Sequence, residues 1–199
     1  MGETERSSGL RIAIFGGTFD PIHNAHLRIA REAVEQSALD RVLFVTAGNP
    51  PHKAPGATTS FEHRHRMVEL ACATDSRFVP SRLEEGNGLS YSIHTIERVK
   101  AGLGPDDRLY FLIGADAFAE VGTWYRSGEV LAAVEFIVVS RPGYDYPVPE
   151  GARVRRLESL ALPVSSSLIR KGLQAGTLVD ELPESVGRYA ERHGLYSAR

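Results

Sequence analysis

The stretch Leu10-Arg-Ile-Ala-Ile-Phe15, followed directly by Gly16-Gly17, decides the fold class of this chain. Its apolar residues form an almost continuous run, which is typical of a strand buried on both faces of a parallel sheet. The two glycines end the strand and allow the backbone to turn close to a ligand. The apolar periodicity of residues 25–37 then predicts a helix. The chain therefore opens as a strand, a turn that begins at Gly16-Gly17, which we call the glycine turn, and a helix.

The same alternation continues along the rest of the chain. Further strands are predicted at residues 41–46, 77–80, 108–113, 135–140 and 153–157. Further helices are predicted at residues 61–74, 93–101, 115–131, 168–174 and 184–193. We therefore expect an α/β fold with a single doubly wound, Rossmann-like parallel sheet and helices on both of its faces. Residues 1–9 are predicted to be a flexible segment and residues 10–199 a single domain, because no linker interrupts the pattern.

Composition and charge narrow the class of protein. Hydrophobic residues make up 42% of the 199 residues, which argues against disorder, and the formal net charge is −2. A chain so close to neutral has no overall field that attracts nucleic acid or an anionic membrane, so any recognition of phosphate must be local.

The apolar runs, the first residues and the single cysteine bear on where the protein is located. No apolar run approaches the roughly 20 residues that a membrane-spanning helix needs. The polar first residues lack the apolar core of a signal peptide, so we expect a cytoplasmic protein that binds neither membrane nor nucleic acid. The single cysteine, Cys72, falls in a predicted helix, where a buried structural thiol is favoured over a nucleophile.

The turn after the first strand is the first candidate for phosphate binding. It reads Gly16-Gly-Thr-Phe-Asp-Pro-Ile-His-Asn-Ala-His-Leu-Arg28. A helix that opens near residue 24 aims free N–H groups and its positive dipole end at an anion, and His23 and His26 share one face of its start. The alternative is that both are ordinary surface or capping histidines, and no third ligand cluster supports a zinc site. Neither G-x-G-x-x-G nor G-x-x-x-x-G-K-[ST] occurs, which disfavours a dehydrogenase and a P-loop enzyme.

A second candidate lies near the other end of the chain, in Val164-Ser-Ser-Ser-Leu-Ile-Arg170. Serines before a helix cap it and leave hydroxyl and backbone donors free, while Arg170 adds a planar cationic group that matches phosphate. Taken alone, this segment indicates no more than a capped helix.

Taken together, the two segments resemble the hallmarks of the nucleotidyltransferase superfamily of adenylyltransferases and cytidylyltransferases. Four internal segments are similar to those of the bacterial-type nicotinate mononucleotide adenylyltransferases. They are Asn49-Pro-Pro-His-Lys53, Ser90-Tyr-Ser-Ile-His-Thr95, Ile113-Gly-Ala-Asp116 with Thr123-Trp-Tyr125, and Ser140-Arg-Pro-Gly143. The resemblance spans residues 11–196. The chain departs from the family pattern at Ala25 in place of glycine, at His94 in place of aspartate and at Ser167 in place of threonine.

The resemblance implies an enzyme that transfers the adenylyl group of ATP to nicotinate mononucleotide, giving deamido-NAD and pyrophosphate in NAD biosynthesis. Catalytic roles at the phosphates are implied for His23, His26 and Arg170. The implied ATP-binding set adds Gly16, Gly17, Thr18, Phe19, Asp116, Ser166 and Ser167. Mg²⁺ is expected to arrive with ATP, held mainly by substrate oxygens and water, and no metal-binding residues are predicted in the protein.

The same resemblance implies an acceptor-binding set. It consists of His52, Lys53, Tyr91, Ser92, Trp124, Tyr125 and Arg141. Local sequence leaves alternatives for several site residues: Asp116 could cap a helix rather than bind ribose, Trp124 could be a packing residue, and Arg141 could merely end a strand. His52 and Lys53 could belong to a solvated turn, and Glu62-His-Arg-His-Arg66 is interpreted as a solvated helix face.

Two other functions compete with this one. A related adenylyltransferase would use nicotinamide mononucleotide or phosphopantetheine as the acceptor, and a non-catalytic protein would only sense adenine nucleotides. The second is disfavoured, because a pure binder need not keep groups that stabilise a transition state. Sequence does not distinguish a monomer from a homo-oligomer.

Overall fold

Six parallel strands form one sheet in the computed structural model, which describes residues 9–49, 59–86, 88–160, 164–177 and 180–197. The strands are β1 (Arg11–Gly17), β2 (Arg41–Thr46), β3 (Phe78–Ser81), β4 (Arg108–Gly114), β5 (Glu135–Ser140) and β6 (Arg153–Glu158). Their order across the sheet is β3-β2-β1-β4-β5-β6. The predicted single parallel sheet is confirmed.

The strand order reverses at β1, which pairs with β2 on one side and with β4 on the other. Gly17 is in register with Thr46 of β2, and Ile14 is in register with Phe111 of β4. In open α/β sheets a crevice forms beyond the carboxyl ends of the strands at such a reversal. The glycine turn after β1 therefore lies where this fold places ligands.

Helices cover both faces of the sheet. They are α1 (Asn24–Ser37), α2 (Phe61–Cys72), α3 (Ser92–Lys100), α4 (Ala115–Ala119), α5 (Ser127–Ala133), α6 (Ser166–Gln174) and α7 (Glu184–Arg192). One apolar core holds the buried faces of α1, α2, α6 and α7, and a second holds those of α3, α4 and α5. Neighbouring residues of β1 enter different cores, Ala13 the first and Ile14 the second, as the alternation of side chains along a strand requires.

The long helix predicted at residues 115–131 is wrong. The structure has α4, a 3₁₀ turn at Val121–Thr123 and then α5, with Trp124 in an extended conformation between them. Arg126, just before α5, takes a left-handed φ of 54°. Glycine, threonine and aromatic residues in this stretch have modest helix propensity, so the chain leaves the helix there and carries Trp124 across the sheet edge.

Two smaller features bear on the predictions. Cys72 is buried, and burial raises the pKa of its thiol to about 12, so it is an unreactive core residue as expected. Within the part of the chain that the structure describes, no helix is both long and apolar enough to cross a bilayer.

Candidate active site

The start of α1 brings two histidines together directly after the glycine turn. His23 is the residue before the first turn of α1, is only 4% exposed, and has a ring centroid 3.7 Å from that of His26. The backbone N–H of His23 donates to Nδ1 of His26 at 3.2 Å. A neutral His26 that accepts at Nδ1 carries its proton on Nε2, so the ring presents a hydrogen-bond donor from its other edge.

Burial keeps both histidines uncharged. It lowers the pKa of His23 from 6.5 to about 4, and it lowers the pKa of His26 well below 6.5, with a further contribution from the neighbouring His23. Nδ1 of His23 is buried and has no hydrogen-bond partner among the described residues.

The second sequence motif docks onto the first one. Ser165 caps α6 by accepting a hydrogen bond from the backbone N–H of Leu168 at 3.3 Å. The hydroxyl of Ser166 donates to the carbonyl of Pro21 at 3.0 Å, and Nη1 of Arg170 donates to the carbonyl of Asp20 at 2.6 Å. The N-terminus of α6 therefore faces the same turn as the N-terminus of α1, and both helix ends attract anions.

A cavity of about 240 Å³ opens beyond the ends of β1 and β4. A Cβ atom built on Gly16 or Gly114 would meet no atom within 4 Å, so the empty space beside these glycines belongs to the cavity rather than to protein packing. Trp124, Ser92 and Thr95 also line this cavity. The cavity thus joins the glycine turn to two of the predicted acceptor residues.

An aromatic cluster adjoins this cavity. The rings of Tyr91 and Tyr125 lie 4.6 Å apart, and His94 approaches the Tyr125 ring edge-on at 5.9 Å. Tyr91 precedes the first residue of α3, while Tyr125 is 52% exposed. Tyr91 and His94 line a smaller neighbouring cavity of about 80 Å³, which shares Ser90, Glu84 and Thr95 with the larger one.

The family of the chain follows from comparison with known proteins. A family model described as cytidylyltransferase-like matches residues 14–172 and so includes both motifs. The chain belongs to the cytidylyltransferase-like family. A curated relative from Solibacter usitatus, named "Probable nicotinate-nucleotide adenylyltransferase", is 56% identical over 94% of this chain and 100% of its own length. A relative of the same name from Thermus thermophilus is 43% identical over 94% of this chain and 100% of its own length. The resemblance stated from the motifs is confirmed.

Solved structures agree on the fold of this family member. The Plasmodium falciparum nicotinic acid mononucleotide adenylyltransferase complexed with NaAD aligns with a TM-score of 0.78. It is 20% identical to this chain, and the alignment covers 94% of this chain and 97% of that one. The same protein complexed with APC aligns with a TM-score of 0.76 at 20% identity, over 94% of this chain and 97% of that one.

Two further predicted site residues, Asp116 and Arg141, follow the strands β4 and β5. Gly114 is the residue before α4 and Asp116 is the second residue of the helix, so Asp116 is not the capping residue. Its exposed carboxylate accepts from the Tyr144 hydroxyl at 3.1 Å. Arg141 is exposed directly after β5. Both residues follow the carboxyl ends of neighbouring strands, on the same edge of the sheet as the glycine turn. His52 and Lys53 lie outside the described residues.

The structure narrows what three of the predicted ATP-binding residues can do. The ring of Phe19 is buried in the apolar core, so only its backbone can contact a ligand. The hydroxyl hydrogen of Ser166 is taken by Pro21, so the donor left at this residue is its backbone N–H. Ser167 accepts from Nη2 of Arg170 at 3.2 Å, which orients the guanidinium group.

The solvated helix face predicted at residues 62–66 is wrong. Arg64 and His65 are buried, and the hydroxyl of Thr46 lies 3.1 Å from Nδ1 of His65. A signal was available, because Arg64 stands three residues before Met67 and seven before Ala71, in register with the apolar face of α2.

Two carboxylates at the site were not among the predicted site residues, although Asp20 lies within the first phosphate-binding segment. Glu84 lines the cavity from the loop after β3, where its Oε1 accepts from the Thr95 hydroxyl at 2.5 Å. Asp20 is buried at 2% exposure beneath the glycine turn. Within the described ranges, no group of three or more His, Cys, Asp or Glu side chains is arranged to hold a metal ion.

Proposed function

We propose that this chain transfers the adenylyl group of ATP to nicotinate mononucleotide, forming nicotinate adenine dinucleotide and pyrophosphate in NAD biosynthesis. The observation that carries the proposal is the docking of α6 onto the turn before α1. The contacts of Ser166 and Arg170 with Pro21 and Asp20 bring phosphate-binding groups from both ends of the sequence to one place. The names of the curated relatives support the choice of acceptor.

The reaction is an in-line displacement at the α-phosphorus of ATP. An oxygen of the nucleotide phosphate forms a bond to the α-phosphorus, and the bond from that phosphorus to the bridging oxygen of the β-phosphate breaks. Pyrophosphate leaves with the electron pair. Because the attacking phosphate is already anionic, no general base is required, and the protein acts by positioning and by stabilising charge.

His26 and His23 act as neutral hydrogen-bond donors at the α-phosphate. Their lowered pKa values mean that neither adds a positive charge in the free protein at neutral pH. Nε2–H of His26 is fixed as a donor by the backbone N–H that occupies Nδ1. A fixed donor that strengthens as charge develops contributes to the rate more than to substrate binding.

Positive charge at the β- and γ-phosphates is supplied by Arg170. Two of its nitrogens are engaged by Asp20 and Ser167, and this holds the guanidinium plane while the remaining N–H groups stay available. The backbone N–H groups of Ser166 and Ser167, in the first turn of α6, have no acceptor within the helix and add to the same site. Gly16 leaves open space in which the backbone can come close to a phosphate, and Gly17 and Thr18 complete this part of the site.

Mg²⁺ enters with ATP as part of the substrate. Held chiefly by phosphate oxygens and water, the ion would neutralise charge on the triphosphate and on the leaving pyrophosphate.

The acceptor is expected to lie between the wall formed by Trp124 and the start of α3. The first N–H groups of α3, at Ser92 and Ile93, have no partner within the helix, and Ser92 lines the cavity. These donors suit a carboxylate on the pyridine ring, and the indole of Trp124 offers a face for the ring to stack on. Tyr91, Tyr125 and Arg141 would border this site.

The cytoplasmic location and the extent of a single domain over residues 10–199 stay predictions.

The proposal is tested by incubating the purified chain with ATP, Mg²⁺ and nicotinate mononucleotide. We expect nicotinate adenine dinucleotide and pyrophosphate in equal amounts, identified by mass and by a coupled pyrophosphate assay. Absence of dinucleotide across the pH range in which the protein stays folded would exclude the proposed reaction.

A further inference from the structure

Arg64 is a buried cation beneath the glycine turn. It lies in α2, is 1% exposed and is surrounded by backbone carbonyl groups. Nη1 donates to the carbonyls of Thr18 at 2.8 Å and Ala47 at 2.7 Å. Nη2 donates to Gly48 at 3.3 Å, and Nε donates to Thr59 at 2.8 Å. One guanidinium group thus ties together the loops that follow β1 and β2.

The contact with Thr18 determines how the glycine turn presents its backbone. In a trans peptide the C=O and N–H point in opposite directions, so a Thr18 carbonyl held by Arg64 directs the Phe19 N–H away from α2. That N–H has no acceptor among the described residues. Phe19 also takes a left-handed φ of 48°, a conformation that a bulky residue adopts only when its surroundings impose it.

Asp20 is a buried carboxylate that acts on the charge of Arg64. Its Oδ2 accepts from the backbone N–H of Thr59 at 3.3 Å, and its Oδ1 accepts from the Tyr196 hydroxyl at 2.6 Å. Burial lowers the pKa of Arg64 and the nearby Asp20 raises it, while an arginine stays protonated at any working pH. We call Arg64, Asp20 and Tyr196 the turn clamp.

A contribution to stability alone does not explain why Arg64 and Asp20 are buried. Removing charged groups from water is costly, and apolar residues of the same size often stabilise a core at least as well. The neighbouring buried residues of α2, Met67 and Val68, lie in an ordinary apolar core. What the clamp supplies, and an apolar side chain could not, is fixed directions for several backbone groups of the turn.

We propose that the turn clamp is a positioning device for ATP, in which Arg64 acts through the backbone of the glycine turn without touching substrate. The proposal rests on the proposed function, because it assumes that the turn binds the phosphates of ATP. Arg64 also reaches the acceptor side of the site, because it holds the carbonyl of Ala47, which lines the same cavity as Trp124 and Ser92. Tyr196 acts on the clamp through Asp20, so loosening the clamp at Tyr196 weakens the use of ATP and leaves the use of the acceptor unchanged.

The test compares Arg64→Lys and Tyr196→Phe with wild type. A lysine keeps the charge but cannot serve four carbonyl groups, and the phenylalanine removes only the hydroxyl that holds Asp20. We expect Arg64→Lys to raise the KM for ATP at least 10-fold and Tyr196→Phe to raise it about 3-fold. The KM for the nucleotide acceptor should stay within 2-fold in Tyr196→Phe and should rise less than the KM for ATP in Arg64→Lys, which also releases the carbonyl of Ala47.

Val68→Ala is the matched structural control. It removes buried methyl groups from the same helix, which lowers the thermal midpoint without contacting the turn. Loss of folded protein lowers apparent kcat but not the KM of the molecules that remain folded, so both KM values of Val68→Ala should equal those of wild type.

Direct titration of each variant with ATP, without acceptor, keeps the result independent of turnover. Weaker ATP binding by the clamp variants supports positioning even if the acceptor proposed above is wrong. ATP affinity and ATP KM equal to wild type in Arg64→Lys, with only the melting midpoint lowered, would overturn the proposal. If Arg64→Lys does not fold, Tyr196→Phe decides by the same criterion.

Discussion

Nη1 of Arg170 donates a 2.6 Å hydrogen bond to the backbone carbonyl of Asp20, which lies 150 residues earlier in the chain. The contact joins α6 to the turn that leads into α1. Asp20 is three residues before His23, so the guanidinium group is anchored to the segment that carries both histidines. A ligand with several phosphates can therefore contact both motifs at once.

Replacing Arg170 by lysine should weaken the use of ATP. The ammonium group cannot hold Asp20 and Ser167 and also present a planar pair of donors to phosphate. A charge-assisted hydrogen bond is worth about 1.5–3 kcal/mol, so kcat/KM for ATP should fall roughly 10- to 150-fold. Lys171→Gln, which removes the neighbouring exposed charge, is the control and should stay within 2-fold. Equal effects of the two substitutions would indicate that only overall charge matters.

Replacing His26 by alanine should slow the chemical step more than it weakens ATP binding. A preorganised donor to the developing charge is typically worth roughly 10²- to 10³-fold in rate. Single-turnover rates and ATP affinity should be measured side by side, with His193→Ala as a control at an exposed histidine on the far end of α7. A weaker affinity for ATP with an unchanged single-turnover rate would assign His26 to substrate binding alone.

The free protein should lose stability when the pH falls from 6.5 towards 4. Unfolded His23 binds a proton near pH 6.5, whereas burial lowers its pKa in the folded protein to about 4. Between these values the unfolded state binds more protons, so the free energy of unfolding decreases as the pH is lowered, by about 3 kcal/mol at pH 4 from this residue. Denaturant unfolding at several pH values measures the effect.

A His23→Asn variant provides the reference for that measurement. Carboxyl groups also titrate in this range, so the informative quantity is the difference between wild type and variant. The variant should show a flatter dependence of unfolding free energy on pH. Parallel curves for the two proteins would mean that His23 does not carry the predicted effect.

Replacing Trp124 by alanine should weaken binding of the acceptor without changing the choice between acceptors. Stacking on the indole is available to any pyridine ring, so it cannot distinguish an acid from an amide. We expect the KM for nicotinate mononucleotide and that for nicotinamide mononucleotide to rise together, with their ratio preserved within about 3-fold. A large change in that ratio would place the source of selectivity at Trp124.

The parts of the site that sequence could predict are local ones. The glycine turn, the histidines at the start of α1 and the cap of α6 each follow from residues within one short segment. The α/β alternation then places the carboxyl ends of the strands on one edge. Contacts between distant segments are different, since nothing near Tyr196 indicates that its hydroxyl bonds Asp20 across 176 residues.

Arg64 is an exception to the rule that charged residues are exposed to solvent. Charged residues are usually solvated, so a run that contains Arg64 and Arg66 predicts an exposed face. The structure exposes Arg66 and buries Arg64, because Arg64 shares the apolar stripe of α2 and finds four carbonyl acceptors beneath the glycine turn. The helical register indicated that Arg64 would be buried. Its four carbonyl acceptors could be identified only from the folded structure.

The choice of acceptor is the most direct test of the proposed function. The measurement is kcat/KM for nicotinate mononucleotide and for nicotinamide mononucleotide, with the same enzyme and saturating ATP and Mg²⁺. Donors at the start of α3 suit a carboxylate, and an amide would leave at least one of them unpaired at about 1–3 kcal/mol each. We predict that the acid is preferred by at least 10- to 100-fold. Equal use of both nucleotides, or preference for the amide, would contradict the proposed function.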